Sequence, residues 1–216
     1  MAVKIALFPL SAVFFPHMPM ALHIFEDRYR AMMRDCIDGG TTFGVVAIRE
    51  GREVGPDAEP YEVGTLAQMR DVDELPDGRY NIVVVGASRF RIERLSRERP
   101  YMTAEVSYLQ DAPASPDGEA LAPRVAQQFR EYVTSMRTLS NEPVPAALEL
   151  PDEPELLSYL VAAALQITIT ERQRLLEIDS VDERLHECMS ILRREHLLLE
   201  NMLGYAAASP ASPQLN

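Results

Sequence analysis

Lysine is nearly missing from this chain: of 21 basic residues among 216, Lys4 alone is not an arginine, and tryptophan is absent. That scarcity excludes chemistry. A phosphate-cradling P-loop needs a lysine after a Gly-rich turn, and Lys4 follows Met-Ala-Val. A lysine general base or Schiff base would have to be the same residue, whose neighbours Val3 and Ile5 predict a first strand. Apolar runs stop far short of the roughly 18 residues of a bilayer-crossing helix, so no membrane partner is expected. The N-terminal MAVKIALFPL has one lysine and no small-residue cleavage site after a long apolar core, so no signal peptide is expected. Cys36 and Cys188 lie far apart among helix-like residues, which predicts two free thiols and a cytoplasmic location. The 4 histidines are scattered. His186-Glu187 lacks a second histidine four positions on, and Leu192 stands where a partner for His196 would be needed. No metal or other cofactor is expected, and no GxSxG elbow or Gly-rich strand-to-helix loop occurs.

What is present is ordinary globular material, 47% hydrophobic and 25% charged, with a formal net charge of −12. Up to residue 111 there are 17 acids against 13 bases, and beyond it 16 against 8, which gives −4 and −8. Such a surface repels phosphate backbones and disfavours nucleic acid as a partner.

The residue pattern predicts an α+β chain. Residues 1–111 read as strands and turns with one helix inserted. In YMTAEVSYLQ, Met102, Ala104, Val106 and Tyr108 share one face, and Thr103, Glu105 and Ser107 the other. In RFRIE, Phe90 and Ile92 oppose Arg89, Arg91 and Glu93. FGVVAI and RYNIVVV are more continuously apolar and are expected to be covered on both faces. Pro76-Asp77-Gly78 predicts a tight turn, and Gly86 a bulge or corner where one strand becomes the next. Many short strands with such corners suggest a small, closed or nearly closed barrel.

After a linker over 112–116, residues 117–205 have helical periodicity, and 206–216 read as a frayed tail. Leu121, Val125, Phe129, Tyr132, Val133 and Met136 stripe a first helix. Asp152-x-x-Glu155 and Ser180-x-x-Glu183 read as capping boxes for later ones. The longest helix is striped by Leu185, Cys188, Met189, Leu192, Leu199 and Leu203.

Most of the chemistry-bearing letters fall in FFPHMPMALHIFEDRYRAM, residues 14–32. Glu26, Arg28 and Tyr29 could supply a carboxylate acid and a guanidinium clamp. Yet Tyr29 is in phase with Met32, Met33, Cys36 and Ile37, and Glu26 and Asp27 occupy a first helical turn before Gly39-Gly40 ends it. That spacing favours architecture. Upstream, Phe14, Phe15, Met18 and Met20 cluster around two prolines. Either they form an exposed apolar loop that adapts to varied partners, or Phe15 and Met20 plug the barrel end and are buried, with His17 and Met18 the most exposed. Arg89, Arg91, Arg94, Arg97 and Arg99 form a local basic group, read chiefly as a solvated strand face and loop.

FPLSAVFFPHMPMALHIFEDRYRAMMRDC, YEVGTLAQM, DGRYNIVVVGASRFRIERL and RQRLLEIDSVDERLHECMSIL resemble, in that order, the N-terminal substrate-recognition domain of ATP-dependent Lon proteases. The resemblance covers residues 4–203. It implies a PUA-like β pseudo-barrel joined to an α-helical bundle, with Glu26, Arg28, Tyr29, Gly64, Gly78, Gly86 and Arg89 as structural motif residues. It also implies a polypeptide or partner protein as ligand, such as a separate protease or chaperone. Phe14, Phe15, His17, Met18 and Met20 are the candidate polypeptide-binding residues, with no catalytic residue and no metal ligand among them. With Lys4 as its one lysine and Asn216 as its last residue, the chain is expected to be a non-enzymatic binding module, lacking the Lon ATPase and Ser–Lys protease parts, and a monomer or weak homodimer. The alternative is a PUA-like RNA or small-ligand binder.

Overall fold

The computed structural model describes residues 3–53, 58–144 and 147–208, with side chains to residue 203. Six strands, β1 (Val3–Leu10), β2 (Pro19–Ile24), β3 (Phe43–Glu50), β4 (Glu59–Glu74), β5 (Tyr80–Ser96) and β6 (Thr103–Tyr108), form one mixed sheet. Five helices are described: α1 (Asp27–Gly39), α2 (Pro116–Leu139), α3 (Pro154–Ala164), α4 (Ile169–Glu177) and α5 (Val181–Ala208). The sheet order is β2-β5-β4-β3-β1-β6. β1 and β3 run parallel, and the other pairs are antiparallel. β5 is long enough to pair first with β2, over Tyr80–Val85, and then with β6, over Phe90–Ser96. The pairings β5-β4-β3-β1-β6-β5 therefore close on themselves.

The chain divides into two compact units: Met1–Ala112 with Tyr159–Ser180, and Pro113–Ser158 with Val181–Asn216. The expected division gave all of 117–205 to the helical part. Periodicity marks Tyr159–Ser180 as helix-forming but does not say what it packs on, and α4 packs on β3 and β4. Gln173 on α4 is buried and donates to Val63 O at 3.0 Å. Of the expected tail, α5 extends through residue 208, and 209–216 lie outside the described residues.

In the first unit, every strand of the closed circuit contributes to one apolar cluster: Ile5 and Leu7, Val46 and Ile48, Leu66, Phe90, then Ala104 and Val106. Gly64 makes room for the Phe90 ring, since a Cβ there would lie 2.8 Å from Phe90 Cζ and 2.5 Å from Val45 O. A second cluster joins the buried face of α1 (Tyr29, Met32, Met33, Cys36) to Phe8, Phe14, Phe43, Tyr80, Ile82 and Tyr101. Ile37 was expected on that face but is 41% exposed, in the last turn of a helix that ends at Gly39 and is capped by Gly40. β3 is buried over Phe43–Ile48, as its continuous apolar run implies. RYNIVVV is not: Asn81 and Val83 face outward, so this end of β5 is covered on one face only. Tyr108 is also exposed, since β6 ends there.

In the second unit, α2 and α5 pack through the predicted stripes, with Leu121, Val125, Phe129 and Tyr132 buried on one and Leu185, Cys188 and Leu192 on the other. Ser115 caps α2 and donates to Asp182 through its Oγ at 2.5 Å and its backbone N–H at 3.1 Å. α3 begins at Pro154, one residue later than a cap at Asp152 would place it. A capping box forms in the first unit, at Thr168 and Glu171 ahead of α4.

Candidate functional site

The stretch before β2 is drawn inward at its start and outward at its tip. Phe14 and Phe15 are 2% and 1% exposed. Phe14 belongs to the cluster beneath α1, and its carbonyl accepts the buried Thr65 hydroxyl at 2.6 Å. The Phe15 ring packs toward Tyr159, centroids 6.3 Å apart. Two candidate binding residues are thus core, because at the open end of the strand circuit a phenyl ring is worth more buried than offered to water. Met20 is the second residue of β2 and packs half-buried against the same cluster.

His17 and Met18 are the outward part. Met18 N donates to Phe15 O at 3.3 Å, closing a four-residue turn with Pro16 in its second position and His17 in its third. Proline suits the second position of such a turn, and the third takes a positive φ when the turn is type II. His17 has φ 65°, an uncommon value for a residue with a side chain, and it is exposed. The turn is stitched to mid-β5: His17 N donates to Gly86 O at 2.8 Å, and Gly86 N to Met18 O at 3.0 Å.

That approach explains Gly86. A Cβ there would sit 2.1 Å from Phe15 O, inside any tolerable contact. Gly86 does not end a strand. β5 runs through it, with two β5 residues, Ala87 and Ser88, set against the single Leu66 between the pairs Ala67↔Gly86 and Thr65↔Arg89. The expected bulge is there; the expected change of strand is a change of partner.

Arg89 follows the bulge and is 2% exposed, so it leaves the solvated strand face on which its alternation with Phe90 put it. Its Nη1 donates to Leu176 O at 2.8 Å, and its Nη2 lies 2.9 Å from Asp111 and 3.0 Å from Asp179. Tyr159 donates to the other Asp111 oxygen at 2.5 Å. A buried guanidinium is tolerable only with such partners. Sequence reading missed Asp111, Tyr159 and Asp179 because no local spacing ties them to Arg89; only the strong T-x-x-E cap ahead of α4 hinted that this segment is rigid.

Glu26, Arg28 and Tyr29 form a fastening. Arg28 donates to Glu26 at 3.0 Å and to Glu53 O at 2.7 Å, and its guanidinium lies 4.3 Å above the Tyr29 ring. The Tyr29 hydroxyl is buried without a hydrogen-bond partner among the described residues, and burial pushes its pKa up to about 12. Gly78 takes φ 76° in the Pro76–Gly78 turn, which Arg30 of α1 secures through Gly78 O at 2.7 Å and Asp77 O at 3.1 Å. Both cysteines are free and buried, and burial raises both thiol pKa values, that of Cys188 to about 12. Among the described residues, no three His, Cys, Asp or Glu side chains are grouped to hold a metal ion, and no helix is long and apolar enough to cross a membrane.

A strand circuit carrying an inserted helix and an outward turn, together with a helical unit, is an architecture found in solved Lon N-terminal domains. The crystal structure of the Lon N-terminal domain protein from Xanthomonas campestris superposes with a TM-score of 0.64 at 26% identity, covering 87% of this chain and 98% of that one. The N-terminal domain of the Mycobacterium avium complex Lon protease gives 0.66 at 17% identity, over 88% and 98%, a likeness of fold. The family model of the ATP-dependent protease La (LON) substrate-binding domain matches residues 4–194, and the chain belongs to that family. The Lon protease of Syntrophomonas wolfei is 29% identical over 200 residues, and Lon protease 2 of Myxococcus xanthus 30% over 210. These alignments cover 91% and 94% of this chain but 24% and 25% of those proteins, so the chain spans about a quarter of the length of the curated relatives it matches.

Proposed function

We propose that the chain binds polypeptide and catalyses nothing, with the Pro16–Met18 turn as part of the contact surface. The observation that carries the reading is the turn itself: a histidine held at φ 65° beside a half-buried methionine, in a member of a substrate-binding family. Backbone strain of this kind persists where the surroundings over-determine it and is often kept for recognition. His17 adds an exposed imidazole, and Met18 and Met20 add adaptable apolar surface. Phe14 and Phe15 act from behind by fixing the turn. The acidic surface favours neutral or basic segments in general.

On this reading the strand circuit is a PUA-like pseudo-barrel, the α2–α5 unit a helical bundle, and the module a cytoplasmic adaptor, monomeric or weakly dimeric, delivering chains to a separate protease or chaperone. Glu26 supports the non-catalytic half, since its carboxylate is engaged by Arg28 at 3.0 Å. The test is a peptide array and pulldown with an unfolded client, comparing wild type with His17→Gly/Met18→Ser. Loss of capture by the folded double variant supports the turn, and undiminished capture removes it. Proteolysis or ATP hydrolysis by the purified chain would overturn the non-catalytic part.

A further inference from the structure

A basic cavity interrupts the acidic character of the chain. Three guanidinium groups, Arg28, Arg97 and Arg99, surround a space of about 300 Å³, with Glu26 the one carboxylate on its wall among the described residues. Pro100, Tyr101 and Met102 give it an apolar side. A second cavity of about 210 Å³ shares Arg99 and Tyr101 and brings in Lys4, the single lysine of the sequence, with Asp35 opposite it. Tyr101 lines both, donating to Asp35 at 2.5 Å and accepting from Arg99 at 2.7 Å.

All three arginines are held in place, and Arg97 and Arg99 are incompletely used. Arg28 is fixed by Glu26, by Glu53 O and by the Tyr29 ring. Arg97 spends only its Nη2, on Ala58 O at 3.1 Å and Glu59 at 2.8 Å. Arg99 spends only its Nη1, on Asp35 at 2.8 Å and Tyr101. The remaining nitrogens of both forks have no partner among the described residues. Their side chains are 43% and 56% exposed, so a ligand can reach them. A guanidinium edge of two parallel N–H groups matches a carboxylate. Glu59 and Asp35 flank the cavity and, with the net charge of −12, resist an extended polyanion while leaving room for one compact anion.

We propose that this cavity receives a carboxylate carried by a bound polypeptide, with the neighbouring side chain of that ligand against Tyr101 and Met102. The inference rests on the polypeptide-binding reading and gives it a polar anchor, so recognition would combine a neutral apolar segment with one acidic group. The carboxylate can come from a chain terminus or from an Asp or Glu side chain.

The test uses fluorescence anisotropy with one labelled client peptide in four forms: acidic residue with free terminus, amidated terminus, acidic residue changed to its amide, and both. Removing the relevant carboxylate should weaken binding about tenfold, and the arm that loses affinity names the source. Arg97→Gln/Arg99→Gln should abolish the difference between forms, and raised salt should shrink it; Arg97→Gln alone serves if the double variant fails to fold. Equal affinity for all four forms, or a double variant that keeps the difference, overturns the proposal and leaves polypeptide binding standing. Inorganic phosphate competing where acetate does not would also overturn it. Failure of every form to bind would instead sink the polypeptide reading on which the proposal rests.

Discussion

In the strand-built unit, one arginine gathers a carboxylate and a carbonyl from 22 and 87 residues away, and a glycine lets a loop lie directly on a strand. The helical unit works otherwise: two apolar stripes face each other, and an N-cap serine meets a first-turn aspartate. Burial in the helical unit follows spacing along each helix, so most substitutions there should act by lost area. The strand unit depends on close approaches and buried polar groups, where one added methyl or one lost partner is felt at once. The candidate turn sits on that less forgiving scaffold.

Gly86→Ala should break the contrast most visibly. Its methyl meets backbone rather than a flexible side chain, and a loss of about 4 kcal/mol is expected in denaturant melts. Arg89→Met comes next, at about 3 kcal/mol, because Asp111 is left buried without its main cation. Asp182→Ala, in the helical unit, should cost only about 1 kcal/mol, the scale of a lost cap contact. Tyr29→Phe should stabilise by about 1 kcal/mol, since it removes a buried hydroxyl with no partner.

Tyr29 also sets an alkaline limit. The folded protein holds its phenolic proton up to about pH 12, whereas a tyrosine in water ordinarily titrates at 10.0. Stability from this group is intact below pH 10 and is lost as pH rises through 12, because there the unfolded chain binds fewer protons. Cys188, moved from 9.0 to about 12, adds a loss that begins near pH 9. Tyr29→Phe should therefore flatten the upper part of an alkaline stability profile and, below pH 10, raise it without changing its slope.

The helical stripes were readable in the sequence because residues three and four apart on a helix must share a face; Leu121 to Tyr132 and Leu185 to Leu199 needed no distant partner. The short strands and their corners suggested a closed or nearly closed barrel, but not the order of its strands. What spacing could not carry was the company a segment keeps: Arg89 alternates like a surface residue, and Tyr159–Ser180 has the period of a helix that could pack anywhere. The candidate site was half legible. His17 was expected among the most exposed residues and the plug reading placed Phe15 inside, while the burial of Phe14 depends on a distant partner, the Thr65 hydroxyl.

The central claim is that the chain works by holding polypeptide at a strained turn and not by turnover. Titrating an unfolded client into the purified protein by calorimetry, with His17→Gly/Met18→Ser alongside, addresses it directly. The account predicts saturable binding by wild type, at least a tenfold loss in the folded double variant, and a client recovered intact. No binding by wild type, or a client cleaved during the titration, would contradict it.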